Sequence, residues 1–291
     1  MKRNEIQMRD PFIVLEDGKY FMFGSTDKDI WEAPGVGFDA YTTEDFENFE
    51  GPFNVFSNSP EFWGEKNFWA PEVHKYKGKY YMFATFWGNG TRGSQILVSD
   101  NILGPYKEHS EGIITPKEWL SLDATLYVED GTPYAIFCHE WIQVGDGEVV
   151  LTQLSEDLKR PVGEPIKLFN ATEAAWVSEL SDYGKKGYIT DGPFMYTTQK
   201  GTLLMLWSSY KNGKYALGIA RSENGIKGPW KQKKEALYEA DGGHGMIFKS
   251  YEGRIYLSIH TPNNTPCERP IFIELEEVND ELTIILDTVT K

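Results

Sequence analysis

Only two cysteines, Cys138 and Cys267, occur in 291 residues. That excludes a disulfide framework, so the fold rests on its own core, with two reduced thiols as the expectation. Basic side chains are in the minority, 29 Lys and Arg against 44 Asp and Glu, for a net charge of −15. A nucleic-acid or anionic-membrane binder is thereby excluded, because both partners call for net basic surface. No apolar run approaches the ~18 residues of a membrane span. The opening residues MKRNEIQMRDPF carry no apolar leader, and a cytoplasmic location is the expectation. Helical periodicity is nowhere sustained. The five histidines are scattered, without the ligand spacing of a transition-metal site.

What is present is a repeat. DGKYFMFGST at 17–26 returns as KGKYYMFATF at 77–86, DGTPYAIFCHE at 130–140, KGTLLMLWSSY at 200–210 and EGRIYLSIHT at 252–261. The turn glycines Gly18, Gly78, Gly131, Gly201 and Gly253 are spaced 60, 53, 70 and 52 residues apart. A glycine turn between two β-rich runs is a hairpin signal. Each run follows a shorter strand (FIVLE, VHKY, TLYVE, FMYTT, GMIFKS), and most precede a third. Five units of three to four antiparallel strands predict an all-β, five-bladed β-propeller, since small sheets bury both faces when packed radially. The long regular period argues against a sandwich or a β-helix. One domain over residues 1–291 is expected, and oligomeric state is not legible.

In a propeller the first strand of each blade lines the central axis. Asp10, Asp123, Asp191 and His244 stand 8, 8, 10 and 9 residues before their turn glycines. In the second unit the equivalent stretch is Phe68-Trp69-Ala70-Pro71-Glu72. Three aspartates, a histidine and a tryptophan are thus predicted at one channel mouth. A single aspartate before Pro or Gly would read as a turn cap. Three at matching offsets read as a site. The second strand of each hairpin returns to that mouth, bringing Ser25, Trp87, Glu140, Trp141, Tyr210 and His260. Aromatic faces there, Trp69, Trp87 and Trp141 among them, suit the apolar faces of sugars, although any one tryptophan also suits blade packing. Two carboxyl groups across a mouth fit glycoside hydrolysis, one protonating the leaving oxygen and one activating water or attacking. A third raises the acid's pKa by like-charge repulsion.

At these residues the chain resembles glycoside hydrolase family 43 over essentially its whole length. The motifs are RDPF at 9–12, FWAPEVHKYKGKYY at 68–81, SLDATLYVEDGTPY at 121–134 and GGHGMIF at 242–248. The resemblance implies Asp10 as general base, Asp123 as the residue that tunes and orients the acid, and inversion at the anomeric carbon. It implies no required cofactor, with a calcium ion or water in the channel near His244 as a candidate. The family carries a glutamate as acid in the fourth blade, where ITDGPFMY places Asp191. Asp191 is the expected acid, with Glu140 and then Glu179 as substitutes, because a side chain one methylene shorter changes the reach. Trp69, Trp87, Glu140, Trp141 and Arg269 are the candidate substrate contacts.

The expected substrate is a plant oligo- or polysaccharide, attacked as by an α-L-arabinofuranosidase. β-Xylosidase, endo-xylanase, endo-arabinanase and galactan-cleaving activities are the alternatives within the family. A non-catalytic carbohydrate-binding propeller is the alternative outside it.

Overall fold

The computed structural model describes residues 1–182 and 184–285. Among them are five four-stranded antiparallel sheets, each with its strands in chain order. The inner strands are Arg9–Glu16, Lys66–Tyr76, Ser121–Glu129, Asp191–Thr197 and Gly243–Lys249. The second strands are Lys19–Ser25, Lys79–Gly88, Thr132–His139, Leu203–Lys211 and Ile255–Thr261. Third strands follow at Gly37–Thr43, Thr91–Ser99, Glu148–Leu154, Lys214–Ser222 and Arg269–Val278. This is the five-bladed propeller that the repeat predicts. In the first three hairpins Asp17-Gly18, Lys77-Gly78 and Asp130-Gly131 all have positive φ. Two consecutive left-handed residues match the right-handed twist of the flanking strands, which is why Asp-Gly and Lys-Gly recur there.

Sheets pack through apolar faces. Between blades one and two, Phe38, Phe56, Phe62, Phe68 and Phe86 meet with ring centroids 4.8–6.1 Å apart. Each such buried ring contributes about 1.5–3 kcal/mol. Blades three and four join through Trp176 and Trp207, 5.0 Å apart, with Phe169 against Trp207. Blades five and one close the ring through Phe46, packed on Phe248, Tyr256 and Phe272 at 5.3–5.6 Å, and through polar contacts: Ser258 donates to the Pro11 carbonyl, and Arg9 pairs with the buried Glu268.

The inner strands share one irregularity. Asp10, Ala70, Asp123, Gly192 and His244 all have φ between 47° and 60°. Each sits at a register shift between the inner strand and its neighbour. A bulge of this kind re-aims a side chain, here toward the axis. The bulge is pinned from the preceding blade. The N–H groups of Ala70, Asp123 and His244 donate to the hydroxyls of Ser25, Thr85 and Ser208, each at 2.8 Å. The N–H of Asp10 donates to Nδ1 of His260 at 3.2 Å. All four acceptors stand seven residues after a turn glycine, and the fifth member of that set is Cys138. A thiol is a weak acceptor. In its place Asp123 Oδ2 accepts the Gly192 N–H at 3.0 Å.

Candidate active site

The bulges gather Asp10, Asp123 and His244, and the residue before the fourth bulge, Asp191, joins them at one pocket of about 750 Å3. The pinning pattern explains why Asp191 departs from the others in spacing. The position equivalent to Asp10 and Asp123 in blade four is Gly192, so Asp191 enters from one residue earlier. Gly192 is required there: its φ is +50°, and a Cβ would come within 2.7 Å of the His244 ring.

His244 bridges two carboxylates. Its Nδ1 lies 3.2 Å from Asp10 Oδ1 and 3.6 Å from Asp123 Oδ2. Burial alone would lower its pKa, but Asp10, Asp123, Glu72 and Asp191 outweigh burial and raise it. Asp10 also accepts the Ser25 hydroxyl at 2.6 Å. Burial works against its ionisation, yet His244, Arg9 and the Ser25 hydroxyl hold it below the usual carboxylate range. His260, buried beside Arg9, is itself pushed down to about 3 and stays neutral as an acceptor.

The other two carboxyl groups move the opposite way. Burial, with Asp191 and Asp10 adding to it, pushes Asp123 up to about 8 against the pull of His244 and the Gly192 N–H. Burial also pushes Asp191 up to about 6, with Glu140 and Asp10 adding and His244 and Tyr215 opposing. Asp191 is partly exposed to the pocket, and its Oδ2 accepts the Tyr215 hydroxyl at 3.0 Å. One carboxyl held ionised beside two held protonated is the separation that acid–base chemistry requires.

Trp69, Trp87, Glu140 and Trp141 also line the pocket. Glu140 is ion-paired with Arg92, whose guanidinium lies 4.4 Å from the Trp69 ring and 5.4 Å from Trp87. Arg92 also donates to Asn67 Oδ1 at 3.2 Å. Two expected residues are elsewhere. Glu179 is exposed, 3.5 Å from Lys186, because the hairpin of Leu180–Asp182 and Lys185–Gly187 turns it outward. Leu180 and Asp182 line the pocket in its stead. Arg269 donates its guanidinium to the carbonyls of Asn4, Pro266 and Glu268 and does not line the pocket, so it is no substrate contact there. The arginines at the pocket are Arg9 and Arg92.

Sequence reading missed Arg92 and Tyr215. Arg92 and Tyr215 each lie two residues before the third-strand partner of a pinning residue, Ser94 opposite Thr85 and Leu217 opposite Ser208. That register was the available signal.

For the calcium candidate, a hard cation takes 6–8 oxygens. His244 offers a nitrogen, and no group of three or more His, Cys, Asp or Glu placed to hold a metal occurs among the described residues. The residues do not form a protein cage for calcium, and no step below runs through an ion.

A five-bladed propeller with three carboxyl groups gathered at one tryptophan-lined mouth points to a glycosidase. The model of glycosyl hydrolases family 43 matches residues 4–282. The crystal structure of an endo-arabinase from Bacteroides thetaiotaomicron superposes with a TM-score of 0.90 at 37% identity, covering 97% of this chain and 98% of that one. The extracellular exo-α-(1→5)-L-arabinofuranosidase ArbA of Cellvibrio japonicus is 22% identical, over 88% of this chain and 79% of that protein. The extracellular endo-α-(1→5)-L-arabinanase 1 of Bacillus subtilis is also 22% identical, over 82% of this chain and 72% of the relative. The chain belongs to glycosyl hydrolases family 43. These relatives correct the expected location: two of them are named extracellular, which points to secretion and away from the cytoplasm. Among the described residues no helix is long and apolar enough to cross a membrane.

Proposed function

We propose that the chain is, over its whole length, one inverting glycosidase domain that releases L-arabinofuranose from α-linked arabinan. Asp10 is the general base: His244 and Ser25 keep it ionised and aimed, ready to take a proton from the attacking water. Asp191 is the general acid, partly exposed in the pocket and protonated up to about pH 6. Asp123 orients: it faces His244, and its Oδ2 takes the N–H of Gly192, the residue that follows the acid. Trp69, Trp87 and Trp141 supply apolar faces for the sugar. The observation that carries this reading is the convergence of Asp10, Asp123, Asp191 and His244 on one tryptophan-lined pocket, with His244 between Asp10 and Asp123 and Tyr215 on Asp191.

Arabinan as substrate is supported by the names of the relatives, which are arabinofuranosidases and arabinanases. An endo mode is the second reading, favoured by the 37% identical endo-arabinase. Aryl α-L-arabinofuranoside, β-xyloside and β-galactoside turnover, followed by product analysis on linear arabinan, tests both. Arabinose alone indicates exo action, and a ladder of oligomers indicates endo action. Sugar binding without turnover of any substrate overturns the enzyme assignment.

A further inference from the structure

An aspartate in the acid position has one methylene fewer than a glutamate with which to reach the leaving oxygen. It also has fewer contacts to fix its rotamer. In this chain the missing control comes from the third strand of the same blade. Tyr215 donates its hydroxyl to Asp191 Oδ2 at 3.0 Å, leaving Oδ1 with no partner among the described residues.

Tyr215 is itself held from several sides. The side chain is 2% exposed. Its ring stacks on His260 at 5.7 Å and 23°, and Tyr210 packs on it at 5.5 Å. Its backbone N–H donates to Asp241 Oδ1 at 3.2 Å. Gly243 leaves room for the ring, since a Cβ there would lie 2.7 Å from Tyr215 Cε1. Burial, with Asp191, Asp10 and Asp123 nearby, keeps the phenol protonated far beyond neutral pH, so toward Asp191 it acts as a donor. In two other blades the residue at the equivalent third-strand position also holds a pocket side chain, there one of the following blade. Glu268 lies two residues before Pro270, the partner of His260, and holds Arg9, the residue before the first bulge, at 2.9 Å. Arg92 occupies the corresponding place in blade two and holds Glu140.

We infer that Tyr215 is a positioning residue for the acid: it fixes the short Asp191 carboxyl so that Oδ1 meets the leaving-group oxygen. The inference rests on Asp191 being the acid. Besides Tyr215, the charged and titratable groups around Asp191 are Asp10 and Arg9 from blade one, Asp123, Cys138 and Glu140 from blade three, Tyr210 from its own blade, and Asp241, His244 and His260 from blade five. Replacing Tyr215 by Phe leaves those in place and removes one donor. A donor to the ionised carboxylate favours that form, so its loss raises the Asp191 pKa. A hydrogen bond to a charged group corresponds to about ten- to hundredfold.

The test compares Tyr215→Phe, Asp191→Asn and the wild type on aryl arabinofuranosides of graded leaving-group ability. For Tyr215→Phe, kcat on poor leaving groups is expected to fall about ten- to hundredfold, with KM changed less than about threefold. Activated leaving groups are expected to lose little. The alkaline limb of kcat against pH moves to higher pH while the acid limb stays. A 13C NMR titration of the aspartate carboxyl carbons reads the same shift at Asp191, whatever the activity of the variant. An unmoved Asp191 titration and limb overturn the inference, even where kcat falls, since a merely structural residue would give that result. If Asp191→Asn retains full turnover of poor leaving groups, the acid assignment fails instead.

Discussion

The Arg92–Glu140 pair offers a test that separates a proton donor from a binding element. Both side chains are well buried, 12% and 7% exposed, and Glu140 Oε2 has no hydrogen-bond partner among the described residues. Removing one member of such a pair leaves the other charge stranded, which costs about 3–5 kcal/mol. Arg92→Met keeps the stem between Trp69 and Trp87 and deletes the charge, so it isolates this effect. Unfolding entropy of about 2.1 cal/mol/K per residue over this chain makes each kcal/mol worth roughly 1.6 °C, so the expected fall in Tm is about 5–8 °C. The double variant Arg92→Met/Glu140→Gln removes both charges and is expected to recover about 2 kcal/mol relative to the sum of the single variants. Differential scanning calorimetry with urea unfolding reads both quantities. Strict additivity, or an Arg92→Met loss below about 1 kcal/mol, would refute the reasoning, because a solvated surface pair behaves that way. In activity, Glu140→Gln is expected to raise KM and keep turnover of poor leaving groups. A selective collapse on poor leaving groups would move the acid to Glu140.

Three further outcomes follow from the site. The kcat of the wild type should fall as pH rises through about 6, where Asp191 gives up its proton, while the acid limb lies below the ordinary aspartate value of 3.8 because Asp10 is held ionised; a pH–rate profile with its alkaline limb absent contradicts this. Gly192→Ala puts a Cβ within 2.7 Å of the His244 ring at φ +50°, so kcat should fall more than about tenfold through loss of the His244–Asp10 contact; near-normal kcat would show that His244 does not position the base. Cys138→Ser supplies the pinning hydroxyl that blade three lacks; competing for the Gly192 N–H, it should loosen Asp123 and lower kcat with little change in Tm. Unchanged kinetics would remove the significance of that exception.

Much of this site was legible in the repeat. Turn glycines mark the hairpins because type I′ turns need left-handed residues, and counting back eight residues reaches the bulges at Asp10 and Asp123. The count is less regular in blades four and five, where Gly192 and His244 stand nine residues before their turns. Asp191 was therefore found through its motif as much as through its spacing. Glu179 and Arg269 were misplaced because one lies in a connection and the other directly after one, where the repeat carries no register. Glu179 precedes a short hairpin inserted before blade four, and Arg269 opens a strand whose first residue turns toward the N-terminal segment. Arg92 and Tyr215 each follow a two-residue Asn-Gly turn, Asn89-Gly90 and Asn212-Gly213, by two positions; they escaped because the other three blades join second to third strands by longer connections, so the repeat does not run on into this strand.

The central claim is that Asp10 and Asp191 act from opposite sides of the sugar as base and acid. Proton NMR of the first minutes of hydrolysis of an α-L-arabinofuranoside tests it most directly. The account predicts β-L-arabinofuranose as the initial product, with the α anomer growing in only by mutarotation. Initial release of the α anomer would show retention and contradict it.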